Sequence, residues 1–291
     1  MLNFEKQYNE YLQYIEEYLD QNCFRGMNEP QKVLFEAMRY SLLAGGKRLR
    51  SVLVLDFCRM CGGDWKKAMP FAAAVEMVHT YSLIHDDLPC MDDDDYRRGK
   101  LTNHKVYGEA TAVLAGDGLL TAAFTFLSRS DFSAEIRIRA VDILSNCAGE
   151  MGMVGGQMLD MQSETRQCTE QEVLDIQSRK TGALIRAACM LGVLAGEGSD
   201  IQLSAADRFA QNIGIAFQIR DDMLDVIGNA EELGKSIGVD THKNTFVHLY
   251  GLEVCDEMVH SHTNAALACL PTFFDSAFMT KLAEKLKNRT I

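Results

Sequence analysis

Proline interrupts this 291-residue chain only four times, at 30, 70, 89 and 271, so residues 90–270 contain none. So long a stretch without the residue that breaks helices predicts helix after helix. An all-β sandwich or barrel would need frequent turn signals, and they are missing. Apolar residues recur at spacings of three and four, as in Phe4, Tyr8, Tyr11, Leu12, Ile15 and Leu19, and again in Val33, Leu34, Met38, Leu42 and Leu43. Breaks are expected at 22–30, 45–46, 62–64, 89–104, 128–133, 163–169, 196–200, 228–244 and near Pro271. Thr169 followed by Glu172 predicts a capping box. Segments 110–127 and 181–195 are apolar on nearly all sides and are expected at the centre, with other helices packed round them. With no linker, low-complexity stretch or internal repeat, the expectation is a single all-α domain over 1–291.

Lys and Arg number 29 against 41 Asp and Glu, a formal net charge of −12. That balance argues against a nucleic-acid partner, whose footprint would be basic. An anionic ligand would have to meet a local basic patch. The nine cysteines include one C-x-x-C, Cys58 to Cys61, which without a second pair is weak evidence for zinc. They read as small buried side chains in a reducing compartment. Asp117 and Arg186 interrupt the two best apolar runs, so no transmembrane segment is expected. The acidic, helically patterned N-terminus resembles neither a signal nor a transit peptide, and a cytoplasmic location is expected.

Two acidic clusters carry the chemistry. The first places Asp86, Asp87 and Asp92 to Asp95 within ten residues. Most such charge runs are solvated loops. Here, however, a mostly apolar helix, residues 77–84, leads into them, so Asp86 and Asp87 emerge from a buried element at a helix C-terminus, the wrong end for anions. The second cluster, Asp221, Asp222 and Asp225 with Gln218, lies inside an apolar segment, and Asp221 and Asp225 share a helix face. A divalent cation would offset both penalties. Oxygen-only ligands suit Mg²⁺, which is usually completed by waters and substrate phosphates. Basic signatures stand beside these clusters: Gly45-Gly46-Lys47-Arg48-Leu49-Arg50, Arg97-Arg98-Gly99-Lys100, Lys180-Thr181-Gly182 and Gly234-Lys235. Together they indicate anionic substrates and metal.

This constellation resembles the polyprenyl diphosphate synthases, the trans-prenyltransferase family, and is similar to their bacterial farnesyl-producing type. The likeness runs from about Tyr40 to Glu253 through GGKRLR at 45–50, HTYSLIHDDLPCMDDDDYRRGK at 79–100, LAGDGLL at 114–120, GGQMLD at 155–160, KTGAL at 180–184, FQIRDDMLDV at 217–226 and LGKSIGVD at 233–240. Leu101 stands where the family usually has proline, and Met223 where isoleucine or valine is common; neither departure removes a polar group.

The resemblance implies an all-α bundle of about ten or more helices around a central cavity, of isoprenoid synthase type, and a homodimer. The implied reaction is Mg²⁺-dependent condensation of isopentenyl diphosphate with an allylic diphosphate, dimethylallyl and then geranyl, to farnesyl diphosphate. By position, Asp86, Asp87, Asp92, Asp221, Asp222 and Asp225 would hold three Mg²⁺ ions, for which Mn²⁺ could substitute. Arg97, Lys180, Thr181, Gln218 and Lys235 would complete the allylic site. Gly46, Lys47, Arg50, His79 and Arg98 would bind isopentenyl diphosphate. For His79 a packing role is the alternative. His85 reads as structural, while Asp117 and Gln157 are candidates for orienting ligands or cations.

Tyr81 and Ser82 precede Asp86 by five and four residues, about 6–7.5 Å along a helix. They would therefore floor a cavity receiving the growing tail, unless Tyr81 merely packs between helices. The rival readings are a geranylgeranyl-producing member, a terpene cyclase and a non-catalytic prenyltransferase subunit. A cyclase typically mixes Asn, Ser or Thr and Glu in its second motif, and a non-catalytic subunit would be expected to lack one motif. This chain repeats Asp-Asp-x-x-Asp and has both.

Overall fold

The computed structural model describes residues 3–23, 28–227 and 244–289, and these form an almost entirely helical structure. Helix α1 (Phe4–Asn22) starts where Asn3 accepts a hydrogen bond from the Glu5 amide, and it buries Tyr11, Ile15 and Leu19 at the predicted spacing. Helices α2 (Lys32–Leu42), α3 (Leu49–Met60) and α4 (Met69–Asp86) follow, with Pro70 tolerated in the first turn of α4. The predicted break at 89–104 contains a two-residue hairpin, β1 (Tyr96–Arg97) paired antiparallel with β2 (Lys100–Leu101). The chain continues through α5 (Asn103–Tyr107), α6 (Glu109–Ser128), α7 (Ala134–Ala148), α8 (Met153–Ser163) and α9 (Glu170–Gln177). The capping box at Thr169 and Glu172 is formed as predicted. A π-helical turn at Ser178–Gly182 leads into α10 (Ala183–Ala195), and α11 (Asp200–Ile227), α12 (Phe246–Leu267) and α13 (Ala277–Lys287) close the fold.

The centre is α10, buried nearly all round, as its composition predicts. It packs closely on α3 because Gly192 leaves no side chain: a Cβ there would stand 2.5 Å from the Val54 carbonyl oxygen. A smaller apolar cluster, including Val173, Ile176, Ile219, Met223, Phe246 and Val259, joins α9, α11 and α12.

Helix α6 differs from expectation. Its small residues Ala112, Ala115, Gly116 and Ala123 press into the core, but Val113 and Leu114 are 39% and 58% exposed. Uniform apolarity misleads here because one face is buried by close approach of small residues while the other is left open. Among the described residues α6 is also the one helix long and apolar enough to cross a membrane by length and composition; Asp117 does not disqualify it. In the fold it lies against α4, α2, α5 and α7. All nine cysteines are free; four are buried, four half-buried, and Cys90 is exposed, against the expectation of burial.

Candidate active site

The first acidic motif forms where α4 ends. Met77, Val78 and Ile84 hold this helix in the core, so its terminal Asp86 is delivered half-buried. Burial pushes the Asp86 carboxyl up to about 6; the Lys180 and Arg97 charges oppose that rise, while Asp92 and Asp87 add to it. The Asp92 amide donates to the Asp86 carbonyl at 2.9 Å, which folds the Pro89–Cys90 insertion back and sets Asp92 beside Asp86. Asp87 turns the other way. It is 3% exposed, and Arg97 Nε donates to its Oδ1 at 2.6 Å. Arg97 also pairs with Asp94 at 3.3 Å.

The first basic signature is a strained turn. Gly45 and Gly46 have φ of 84° and 122°, and Arg48 caps α3 with φ 47°. A buried network holds Arg48 there: its guanidinium donates to Glu16 at 2.7 Å, to Glu76 at 3.3 Å and to the Leu42 carbonyl at 2.7 Å. Ser51 donates to Glu76 at 2.9 Å. The turn leaves Lys47 exposed and aims Arg50 at His79, with Nη1 and Nε2 3.4 Å apart. Burial, with Arg50 and Arg98 next, keeps the His79 imidazole neutral. Arg98 reaches back from the β1–β2 hairpin to donate to the Gly45 carbonyl, and its guanidinium carbon lies 2.8 Å from where a Gly46 Cβ would stand. Residues 46, 50, 79 and 98, which the resemblance groups together, thus converge in space.

On the opposite side, the π-helical turn presents Lys180 and Thr181. Lys180 Nζ donates to Asp160 of α8 at 2.5 Å. The close approach of α8 depends on Gly156, since a Cβ there would meet the Lys180 amide nitrogen at 2.2 Å. Thr181 Oγ1 donates to Gln218 Oε1 at 3.1 Å, and Gln218 Nε2 donates to Asp222 Oδ1 at 3.0 Å. The other Asp222 oxygen accepts the Phe246 amide at 2.9 Å. Burial pushes Asp222 up to about 6. Asp221 is also raised, first by burial, with Arg289 the main opposing charge; Asp225 is exposed. Lys235 lies outside the described residues.

A cavity of about 510 Å³ opens between Asp86, Arg50 and His79 on one side and Lys180 and Thr181 on the other, with none of Asp221, Asp222 and Asp225 in its lining. Asp86, Arg50, His79, Lys180 and Thr181 line it together with the buried Tyr81 and Met153, the half-buried Ser82 and the exposed Met158 and Met161. Tyr81 is 5% exposed and stacks edge-on against His85. His85 also contacts the Val113 carbonyl at 3.0 Å and leaves no room for a side chain at Gly116. Asp117 stands 4.0 Å from His85, and Gln157 lines the cavity.

The polyprenyl synthetase family model matches residues 31–269. The chain belongs to that family. It is 49% identical to farnesyl diphosphate synthase of Bacillus subtilis over 80% of each chain. It is 47% identical to geranylgeranyl diphosphate synthase of Cyanophora paradoxa, over 76% of this chain and 75% of that one. Among solved structures, an FPP/GFPP synthase from Zymomonas mobilis superposes with a TM-score of 0.90 at 34% identity, covering 98% and 99% of the two chains.

Three features of this polyprenyl synthetase went unread in the sequence. The cavity-lining Met153 and Met161 flank the GGQMLD stretch and Met158 lies within it, and a local density of methionine is their signal. Glu76 and Glu16, the counter-ions of Arg48, are single acidic residues far away in the chain. Arg289, which pairs with Asp221, lies beyond every recognised motif.

Proposed function

We propose that this polyprenyl synthetase joins isopentenyl diphosphate head-to-tail to dimethylallyl and then geranyl diphosphate, releasing farnesyl diphosphate. The observation that carries the reading is one cavity lined both by Asp86, Lys180, Arg50 and His79 and by apolar side chains that include the buried Tyr81, Leu88 and Met153. That is the chemistry of a diphosphate head on a hydrocarbon tail. Relatives carrying both farnesyl and geranylgeranyl names lie at similar identity, so the product reading rests on Tyr81 as the floor.

The donors fit a hard divalent cation. Asp86, Asp92, Asp221 and Asp225 offer only oxygen, and burial leaves the Asp86 charge incompletely compensated. Among the described residues no group of three or more such ligands stands ready to hold a metal, so water and diphosphate oxygens would have to complete its coordination. We assign Mg²⁺, three ions with substrate, or Mn²⁺ in its place. When bound, it supplies Lewis-acid neutralisation of the charge that develops on the departing diphosphate. Asp222 and Asp87 act through neighbours: both oxygens of Asp222 are taken by Gln218 and Phe246, and Asp87 holds Arg97.

As the allylic C–O bond breaks, its electron pair leaves with the diphosphate. Lys180 meets that charge, with Lys235 expected to assist, and Thr181 and Gln218 hold the π-helical turn against α11. Lys47, Arg50, Arg98 and neutral His79 bind isopentenyl diphosphate on the rim, so that its double bond faces the allylic carbon. The π electrons form the new C–C bond, and the proton lost from the adjacent carbon passes to the released diphosphate.

We further read residues 1–291 as one domain of a cytoplasmic homodimer. The test of function is incubation with labelled isopentenyl diphosphate and either allylic substrate, followed by chromatography of the dephosphorylated products. Fifteen-carbon product in Mg²⁺ and none in excess chelator is expected. Full turnover in chelator would overturn the metal assignment. Mainly twenty-carbon product would overturn the farnesyl reading.

A further inference from the structure

Arg289 lies two residues beyond α13, yet its side chain is only 12% exposed. Its guanidinium pairs with Asp221 Oδ1, donates to the Phe217 carbonyl at 2.9 Å and stacks 3.9 Å from the centre of the Phe217 ring. Its own carbonyl accepts from Arg220 Nε at 3.1 Å. All these contacts fall between Phe217 and Asp221, about one turn of α11. The pairing is incomplete, because Arg289 Nε is buried without a partner. A buried donor left without a partner is a cost to the docked state, which is therefore held but not locked. Helix α13 is held independently of Arg289 by the buried Phe278, whose ring packs against Phe4 and Tyr11 of α1. Only residues 288 and 289 would have to move for the guanidinium to leave.

We propose that Arg289 is a latch on the second aspartate motif. It holds Asp221 with a side-chain cation in the ligand-free protein and surrenders that oxygen when a divalent cation arrives with diphosphate. Two cations cannot share Asp221 Oδ1 without repelling each other, so Arg289 weakens metal binding until the diphosphate charge tips the balance. Metal and substrate thereby enter together, and a Mg²⁺ ion without diphosphate is disfavoured. This inference rests on the metal-dependent reading above.

The test is Mn²⁺ binding without activity, read by the electron paramagnetic resonance of free Mn²⁺. Wild type, Arg289→Ala and Arg289→Lys are titrated with and without inorganic diphosphate. Arg289→Ala is expected to bind Mn²⁺ about tenfold more tightly than wild type in the absence of diphosphate, within the usual range of coupling between sites. Arg289→Lys should fall between them, and diphosphate should shrink the difference. Adding Asp221→Asn should abolish it. Equal affinity, or weaker binding by Arg289→Ala, would refute the latch while leaving metal dependence standing. No Mn²⁺ binding by any variant even with diphosphate would refute both. Should Arg289→Ala fail to fold, Arg289→Lys carries the comparison alone, and an affinity equal to wild type overturns the proposal.

Discussion

Asp86 and Asp87 are neighbours in sequence with opposite surroundings. Asp86 faces the cavity, whereas Asp87 is buried against Arg97 at 2.6 Å. Replacing each by alanine should separate chemistry from stability. Asp86→Ala should lower turnover by roughly 10²–10³ or more, the scale set by losing one group that stabilises developing charge, with little change in melting temperature. Asp87→Ala removes the partner of a partly buried guanidinium and should cost about 1–3 kcal/mol of stability. Activity assays and thermal melts on the same two proteins decide it; a stable, active Asp86→Ala protein would reject the assignment. The sequence made the pair conspicuous but could not divide the roles, because adjacent residues on a helix end differ by about 100° in direction. Tyr81 was more legible, since helical rise alone places it below Asp86. Tyr81→Ala should extend the product from fifteen carbons to twenty or more, read by chromatography, and an unchanged profile would remove Tyr81 as the floor.

At the scale of elements, local chemistry was read best where a side chain satisfies its own backbone. Thr169 and Glu172 cap α9 reciprocally, and hydrogen bonds from Arg166 first, then the Thr169 amide and hydroxyl, bring the Glu172 carboxyl down to about 2 from its usual 4.5. A depressed carboxyl contributes stability above its unfolded value and loses it as pH falls through its folded value. Glu172→Ala should therefore melt below wild type at pH 7, and the gap should narrow as pH drops from about 4.5 towards about 2. A gap independent of pH would show that the box contributes by packing alone. Helix α6 was read worst, because composition cannot distinguish a helix buried all round from one with a small-residue face inside and Leu114 outside. The π-helical turn at Ser178–Gly182 carried no periodicity signal either. Its cause is tertiary, with Gly156 and Gly214 bringing α8 and α11 close to Lys180 and Gly182.

Across the whole molecule, the two aspartate motifs belong to different packing neighbourhoods. Helix α4, carrying Asp86, lies in the main core, while Ile219 and Met223 beside Asp221 belong to the smaller cluster with α9 and α12. A ligand engaging both motifs should tie these neighbourhoods together, whereas metal alone meets raised, half-buried carboxyls and, at Asp221, a competing guanidinium. Stabilisation by a ligand at one hundred times its dissociation constant is about 2.7 kcal/mol. For a chain of this size that corresponds to a rise in melting temperature on the order of 5–10 °C. Mg²⁺ with diphosphate should give that rise, Mg²⁺ alone only a small part of it, and diphosphate in chelator little. Differential scanning fluorimetry across these three conditions is the measurement. If Mg²⁺ alone produced the full shift, the carboxylates would already form a complete site, and the dependence of metal on substrate would be lost. If the pair produced none, the two motifs would not share a ligand, and the cavity beside Asp86 would have to serve some other chemistry.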